Sequence, residues 1–427
     1  MKRLAILLVP FLCSGLILGS IACVSSGEEA TSIPMVQPSS AVTSEPQVML
    51  EPVEITIGNF TDKTGPSAAP LSLIAMALED TARYYNEENL IPGVKFKVIS
   101  YDGQLDPSND ILGYEWLKNH GAEVLFTAVP SAAITLKPRL EKDKLVLFTV
   151  VPDQEAVEPP AYVFCVGTTL CEYHSYTLMK WIAENDPDFP QNRPARIGGA
   201  GLPTPYMEAT LRGAKEYARA HPDQYDWAGG YVTIFKFDWQ TEVEALKNCD
   251  YVIPPSLMNQ FIEQYRSSGY EGRFIGTAIN LAFFDFIDQD DVWDEIDGMR
   301  IIMPNWWWNE ESEVVALAKD LLERYHPGEA EEIMRNSNAY LSVNTAYIIF
   351  EFMRETLEKV GPENFSSQAL HDAASDFSIK IDGMETDSFN ENKRLSRNWF
   401  AIYEFDAEER DLIRLNPNEY LDVMQEP

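Results

Sequence analysis

Apolar positions along the chain switch between two periods. "VEITIGNF" (53–60) reads as a buried strand. A Gly/Pro loop, "TDKTGPSAAP", follows, and "LSLIAMALEDTARYYNEEN" then carries apolar residues at helical spacing. "GVKFKVISYD", "AEVLFTAV" and "LVLFTVV" read as further strands, with "NDILGYEWLKNHG" and "SAAITLKPRLEKDK" as the helices between them. Strand–helix repeats of this length build a parallel sheet with right-handed crossovers.

After the Pro-rich stretch "VPDQEAVEPPAYVFCV" the rhythm restarts. The strands are "ARIGGAG", "GYVTIFKFD" (230–238), "CDYVIPP" and "GRFIGTA"; the helices are "CEYHSYTLMKWIAEN", "YMEATLRGAKEYARAH", "EVEALKN" and "LMNQFIEQYRSSG". The predicted fold class is therefore α/β: two Rossmann-like lobes facing each other across a cleft. Open sheets bind ligands in such a place, outside the carboxyl ends of their strands. A third section returns to helices from "SEVVALAKDLLERYHPG" through "SSQALHDAASDF", and the chain closes in short strands and turns.

Within "MPNWWWNEES" (303–312) three tryptophans stand in a row. Successive side chains of an extended segment point to opposite sides, so at least one ring is expected to reach a surface or cavity. Alternation selects Trp307 for the cleft, with Trp306 and Trp308 packed structurally.

The first 22 residues are a different kind of segment. Met1-Lys2-Arg3 is a basic start, and the apolar run after it ends in small residues just before Cys23, which together make a secretory signal. Cys23 resembles the lipid-modified cysteine of bacterial lipoproteins, although Ser20 stands where that pattern usually has Leu; ordinary cleavage after a small residue is the alternative. Two acyl chains on Cys23 would anchor the protein stably. Residues 23–50 then read as a tether, rich in Ser, Pro and Glu, with almost no apolar surface to bury.

The net charge of −34, from 33 Lys+Arg against 67 Asp+Glu, argues against nucleic acid and anionic lipid as partners. Of the five cysteines, Cys165, Cys171 and Cys249 lie in the body. Cys165 and Cys171 can pair across a short loop or remain free thiols. Catalytic motifs are missing: there is no G-x-S-x-G, no H-E-x-x-H and no paired C-x-x-C. His120, His174, His221, His326 and His371 read as surface residues at helix ends or in acidic stretches. "GGAGLPTP" (198–205) lacks the spacing of a nucleotide loop and reads as a tight strand-to-helix turn. No catalytic residue, metal site or cofactor is predicted, and the chain is not read as an enzyme. "TAVPSAAIT" (127–135) ends a strand and starts a helix near Ser131, where free backbone N–H groups and a hydroxyl can hold an anion. Capping the helix is an alternative role for Ser131, and one residue can do both.

The order of "ITIGNFTDKTGPSA", "VISYDGQLDPSND", "VLFTAVPSAAI", "PYMEATLRGAK", "DYVIPPSLMNQFIEQYRSSGYEGRFIGT" and "GMETDSFNENKRLSRNWFAIYEFD" resembles the branched-chain amino-acid (Leu/Ile/Val) binding-protein family of ABC importers. The resemblance implies the type I periplasmic binding fold. One lobe would comprise 51–165 plus 303–399, the other 166–302 plus 400–427, with crossovers near 163–167, 299–304 and 398–403. It implies a ligand site drawn from Thr127, Ser131, Val151, Asp153, Tyr206, Ser256, Thr277 and Ala278, to which the tryptophan argument adds Trp307. Amino-acid binders place an acid near the segment that here reads "GTAIN", which has none, leaving Asp153 as the candidate for that charge. The implied function is capture of a small polar solute (an amino acid, amide or organic acid) by hinge closure. The protein would act outside the cytoplasm as a monomer held to the cell membrane by its lipid anchor only, with ABC permease subunits as partners. A ligand sensor of the same fold, docking on a membrane receptor, is the alternative.

Overall fold

The computed structural model describes residues 51–427, apart from Phe235, Asn416 and Asn418. The signal segment, Cys23 and the tether lie outside the described residues. The first lobe opens with β1 (Val53–Thr61), α1 (Ala68–Glu87), β2 (Val94–Asp102), α2 (Asp110–Asn119) and β3 (Val124–Thr127). It continues with α3 (Ala132–Asp143), β4 (Leu147–Thr149), α4 (Gln154–Val157) and β5 (Val163–Cys165). All five strands are parallel, in the order β2-β1-β3-β4-β5. The run 55–61 is buried throughout, Thr56, Asn59 and Thr61 included, because helices cover both faces of such a sheet.

The second lobe begins with α5 (Cys171–Asn185), β6 (Ala195–Gly201), α6 (Pro205–Ala220), β7 (Tyr225–Val232) and α7 (Gln240–Leu246). It continues with β8 (Tyr251–Ile253), α8 (Asn259–Ser267), β9 (Arg273–Thr277), α9 (Asp285–Gln289), α10 (Trp293–Ile296) and β10 (Arg300–Met303). These strands are parallel in the order β7-β6-β8-β9-β10, the same winding as in the first sheet. Gly199 lies inside β6, where a Cβ would meet the Ile253 carbonyl at 2.8 Å, so this glycine serves strand packing. β7 lies earlier than the sequence pattern predicts, at 225–232 instead of 230–238. Pairing with β6 carries the strand through Gly229, whose φ of +146° accompanies a register shift. Ile234 and Phe237 are left exposed beyond the strand end.

The chain then returns to the first lobe as α11 (Glu313–Tyr325), α12 (Ala330–Asn336), α13 (Val343–Val360) and α14 (Ser367–Ala373). α13 covers the first sheet: Phe350 packs on Phe96 at 4.8 Å, and Phe352 on Phe148 at 6.1 Å. A hairpin follows, β11 (Ser378–Ile381) and β12 (Met384–Ser388). The last strands, β13 (Trp399–Asp406), β14 (Asp411–Leu415) and β15 (Leu421–Asp422), add to the second sheet, β13 running antiparallel to β10.

The polypeptide passes between the sheets three times: after β5, after β10 and before β13. The first and third passages run side by side, with Cys165 N donating to Arg394 O at 2.8 Å and Ser396 N to Cys165 O at 2.9 Å. The second joins them through the Trp306 ring on Trp399 at 4.7 Å and the Tyr403 hydroxyl donating to Asn305 O at 3.1 Å.

The candidate ligand-binding cleft

The carboxyl ends of β5 and β10 lead directly into the passages toward the other lobe. Because each sheet is parallel through these strands, the loops after β1, β3 and β4 lie at the end of the first sheet from which the chain departs after β5, and those after β6, β8 and β9 lie at the corresponding end of the second. On α6, burial acts to lower the Arg212 pKa, but the paired Glu172, with smaller contributions from Glu216 and Asp153, outweighs it and holds the guanidinium above its usual value.

At the end of β3, Thr127 is fully buried, donates to Phe60 O at 2.7 Å and accepts from Val129 N at 3.0 Å. Its hydroxyl ties β1 to β3. Half-buried Ser131 stands at the N-terminal cap position of α3 without making a side-chain cap bond; its hydroxyl donates to Asp110 at 3.3 Å. Val151 is half-buried and held by Thr149, whose hydroxyl accepts from Val151 N at 3.2 Å. Asp153 is exposed and caps α4, accepting from Glu155 N at 2.9 Å. On the second lobe, the half-buried Tyr206 donates its hydroxyl to Thr277 at 3.1 Å, and burial pushes its pKa up. Thr277 and Asn280 form a capping box, and Asn280 reaches back to Pro255 O at 3.1 Å, next to half-buried Ser256. Ala278 O accepts from Asn338 Nδ2 at 3.0 Å. Tyr206, Thr277 and Ala278 are thus drawn into one cluster.

Two sequence expectations are corrected, and one left open is decided. Trp307 is 2% exposed; its indole donates to Asp411 at 2.6 Å and its ring packs on Phe284 at 5.3 Å. Trp306 and Trp308 are buried too, so no ring of the three reaches a surface. The segment bends into a turn beneath β14 and α11, and strict alternation does not apply. His174 is a core residue of α5 packed on Phe400 at 4.6 Å, and burial pulls its pKa down to about 3. Cys165 and Cys171 are buried free thiols, as is Cys249.

Residues that sequence reasoning missed hold the site in shape. Buried Asp62 accepts from Gly65 N and Ser67 N, closing the β1–α1 loop. Asp102 accepts from Lys63 N at 2.9 Å, Thr64 Oγ1 at 2.7 Å and Gln104 N at 3.1 Å. Arg335, at the end of α12, grips Asp288 of α9 with two nitrogens, at 2.5 and 2.7 Å. In the hinge, fully buried Arg397 lies 3.3 Å from Asp387 and over Trp399 at 5.2 Å. Burial lowers its pKa and Asp387 raises it. Asp-x-x-Gly after a strand is a loop signal that could have exposed Asp62. Arg335 meets Asp288 from 47 residues away and left no local signal, whereas Arg397 and Asp387 stand only ten residues apart.

A family model described as periplasmic binding protein matches residues 54–409. A search of curated proteins finds no match. Among solved structures, a branched-chain amino acid ABC transporter protein from Thermus thermophilus with bound valine superposes with a TM-score of 0.74 at 18% identity, covering 87% of this chain and 97% of that one. A possible leucine/isoleucine/valine-binding protein from Rhodopirellula baltica gives 0.72 at 14% identity, covering 87% and 99%. A solute-binding protein of an ABC transporter from Rhodopseudomonas palustris, in complex with 3,4-dihydroxybenzoic acid, gives 0.68 at 14% identity, covering 88% and 99%. At these identities the structures establish the shared fold.

Proposed function

The chain belongs to the periplasmic binding protein family, and on that premise we propose that it captures a small polar solute between its lobes and delivers it to an ABC permease. The observation that supports this reading is the pair of parallel sheets with the same strand order, between which the chain passes three times. The solute would lie between the β3 and β4 ends, with Thr127, Ser131, Val151 and Asp153, and the cluster of Tyr206, Ser256, Thr277 and Ala278. The lobes would be 51–165 with 303–399 and 166–302 with 400–427, closing on the solute by a hinge motion. Family membership implies an extracytoplasmic location, and Cys23 would supply a lipid anchor. Binding rather than catalysis is the proposed role.

A thermal-shift screen of amino acids, amides and organic acids tests the reading, followed by small-angle scattering with each hit. A solute at 100 times its dissociation constant should add about 2.7 kcal/mol of stability. It should also reduce the radius of gyration, because a ligand shifts the equilibrium only by binding the closed state better. A tight ligand that leaves the scattering profile unchanged would remove hinge closure.

A further inference from the structure

We propose that the part of the solute held at Ser131 is a hydrogen-bond donor, an amine or carboxamide, and not a carboxylate. This rests on the solute-binding reading above and narrows its ligand class.

A helix start attracts an anion when its N–H groups are free and no negative charge already stands beside them. At α3 the second condition fails. Asp110, the first residue of α2, is 0% exposed, and one of its oxygens accepts the Ser131 proton at 3.3 Å. The other oxygen makes no hydrogen bond within the described residues. A carboxylate arriving at Ser131 would meet a second buried carboxylate and a hydroxyl whose proton is already committed. An N–H group would meet the Ser131 lone pairs and a negative charge behind them. Burial holds the Asp110 pKa above its ordinary value, against the pull of the Ser131 hydrogen bond.

The other strand ends of this lobe follow the same pattern. Backbone N–H groups of Gly65 and Ser67 are taken by Asp62, those of Lys63 and Gln104 by Asp102, and that of Glu155 by Asp153. The chain's own aspartates thus occupy donors that an anionic solute would use. On the facing lobe Arg212 is paired with Glu172 at 3.0 Å.

Two experiments test the inference. Calorimetry with the matched pairs isovaleramide and isovalerate, and benzamide and benzoate, whose acids carry no other donor, should show the amide binding at least about tenfold tighter, a difference of about 1.4 kcal/mol. An acid that binds as tightly as its amide overturns the inference; if that acid also contracts the scattering profile, the solute-binding reading survives. Independently of any solute, crystals soaked in bromide should show no anomalous peak at the start of α3 in the wild type, but a peak there in Asp110→Asn. Bromide at Ser131 in the wild type overturns the inference, and its absence from both proteins removes Asp110 as the excluding group. If no pair member binds, bromide alone decides the inference, while the solute-binding reading is judged by its own screen.

Discussion

On the first lobe the loops after β1, β2 and β4 are closed by aspartates, whereas on the second the turns after β6 and β9 are closed by threonines. Asp62 and Asp102 each take at least two backbone N–H groups and bring a charge with them. Thr204 takes only Met207 N, and Thr277 shares a neutral capping box with Asn280. Both devices satisfy donors that a buried loop cannot leave unpaired. The difference lies in charge. The same winding therefore presents aspartates beside the hydroxyls of Thr127 and Thr149 on the first lobe, and neutral closures in the turns after β6 and β9 on the second.

The sharpest test is Asp62→Ala, which strips two N–H groups of their shared buried acceptor. It should destabilise the protein by about 3 kcal/mol, read as a lower urea midpoint at unchanged slope. A loss under about 1 kcal/mol would mean that the charged closure matters no more than a neutral one. Thr277→Val keeps the shape but removes the capping box and the partner of the Tyr206 hydroxyl; the expected loss is about 1.5 kcal/mol. Asp153→Ala should lose about 0.5–1 kcal/mol, because the cap is exposed and its helix is a single turn.

The smallest effect expected is on pH dependence. Burial acts to raise the Asp102 pKa, but donors from Lys63, Thr64 and Gln104 outweigh it and hold the carboxyl below the usual range. A depressed carboxyl stabilises the fold above its unfolded pKa, about 3.9, and that contribution fades as pH falls through the folded value. Hydrogen exchange in residues 61–67 should therefore lose protection below about pH 4, and Asp102→Asn should lack that step. Equal acid sensitivity in the Thr277 turn would erase the contrast between lobes.

Much of the architecture was readable before any coordinates. The run 53–60 was readable as a strand from its Val, Ile and Phe positions and the Gly/Pro loop that follows it. The Gly/Pro and Asp-rich breaks punctuate the alternation strongly enough to show two α/β units. Residues 225–232 were harder. Their strand contains two glycines and exposed polar positions, and the more apolar run beside it drew the prediction five residues too far along the chain.

Local pattern thus dictated which segments become strands and helices, since period and turn chemistry act over a few residues. Assembly decided how the polar groups at the strand ends are used. Ser131 was legible as a helix start, but its proton goes to Asp110, 21 residues away. The indole of Trp307 goes to Asp411, 104 residues away, and His174 is buried because β13, more than 220 residues later, brings Phe400 against it. A side chain's hydrogen-bond partner is chosen by whatever the packed sheets bring within about 3 Å, and linear order carries no record of that proximity.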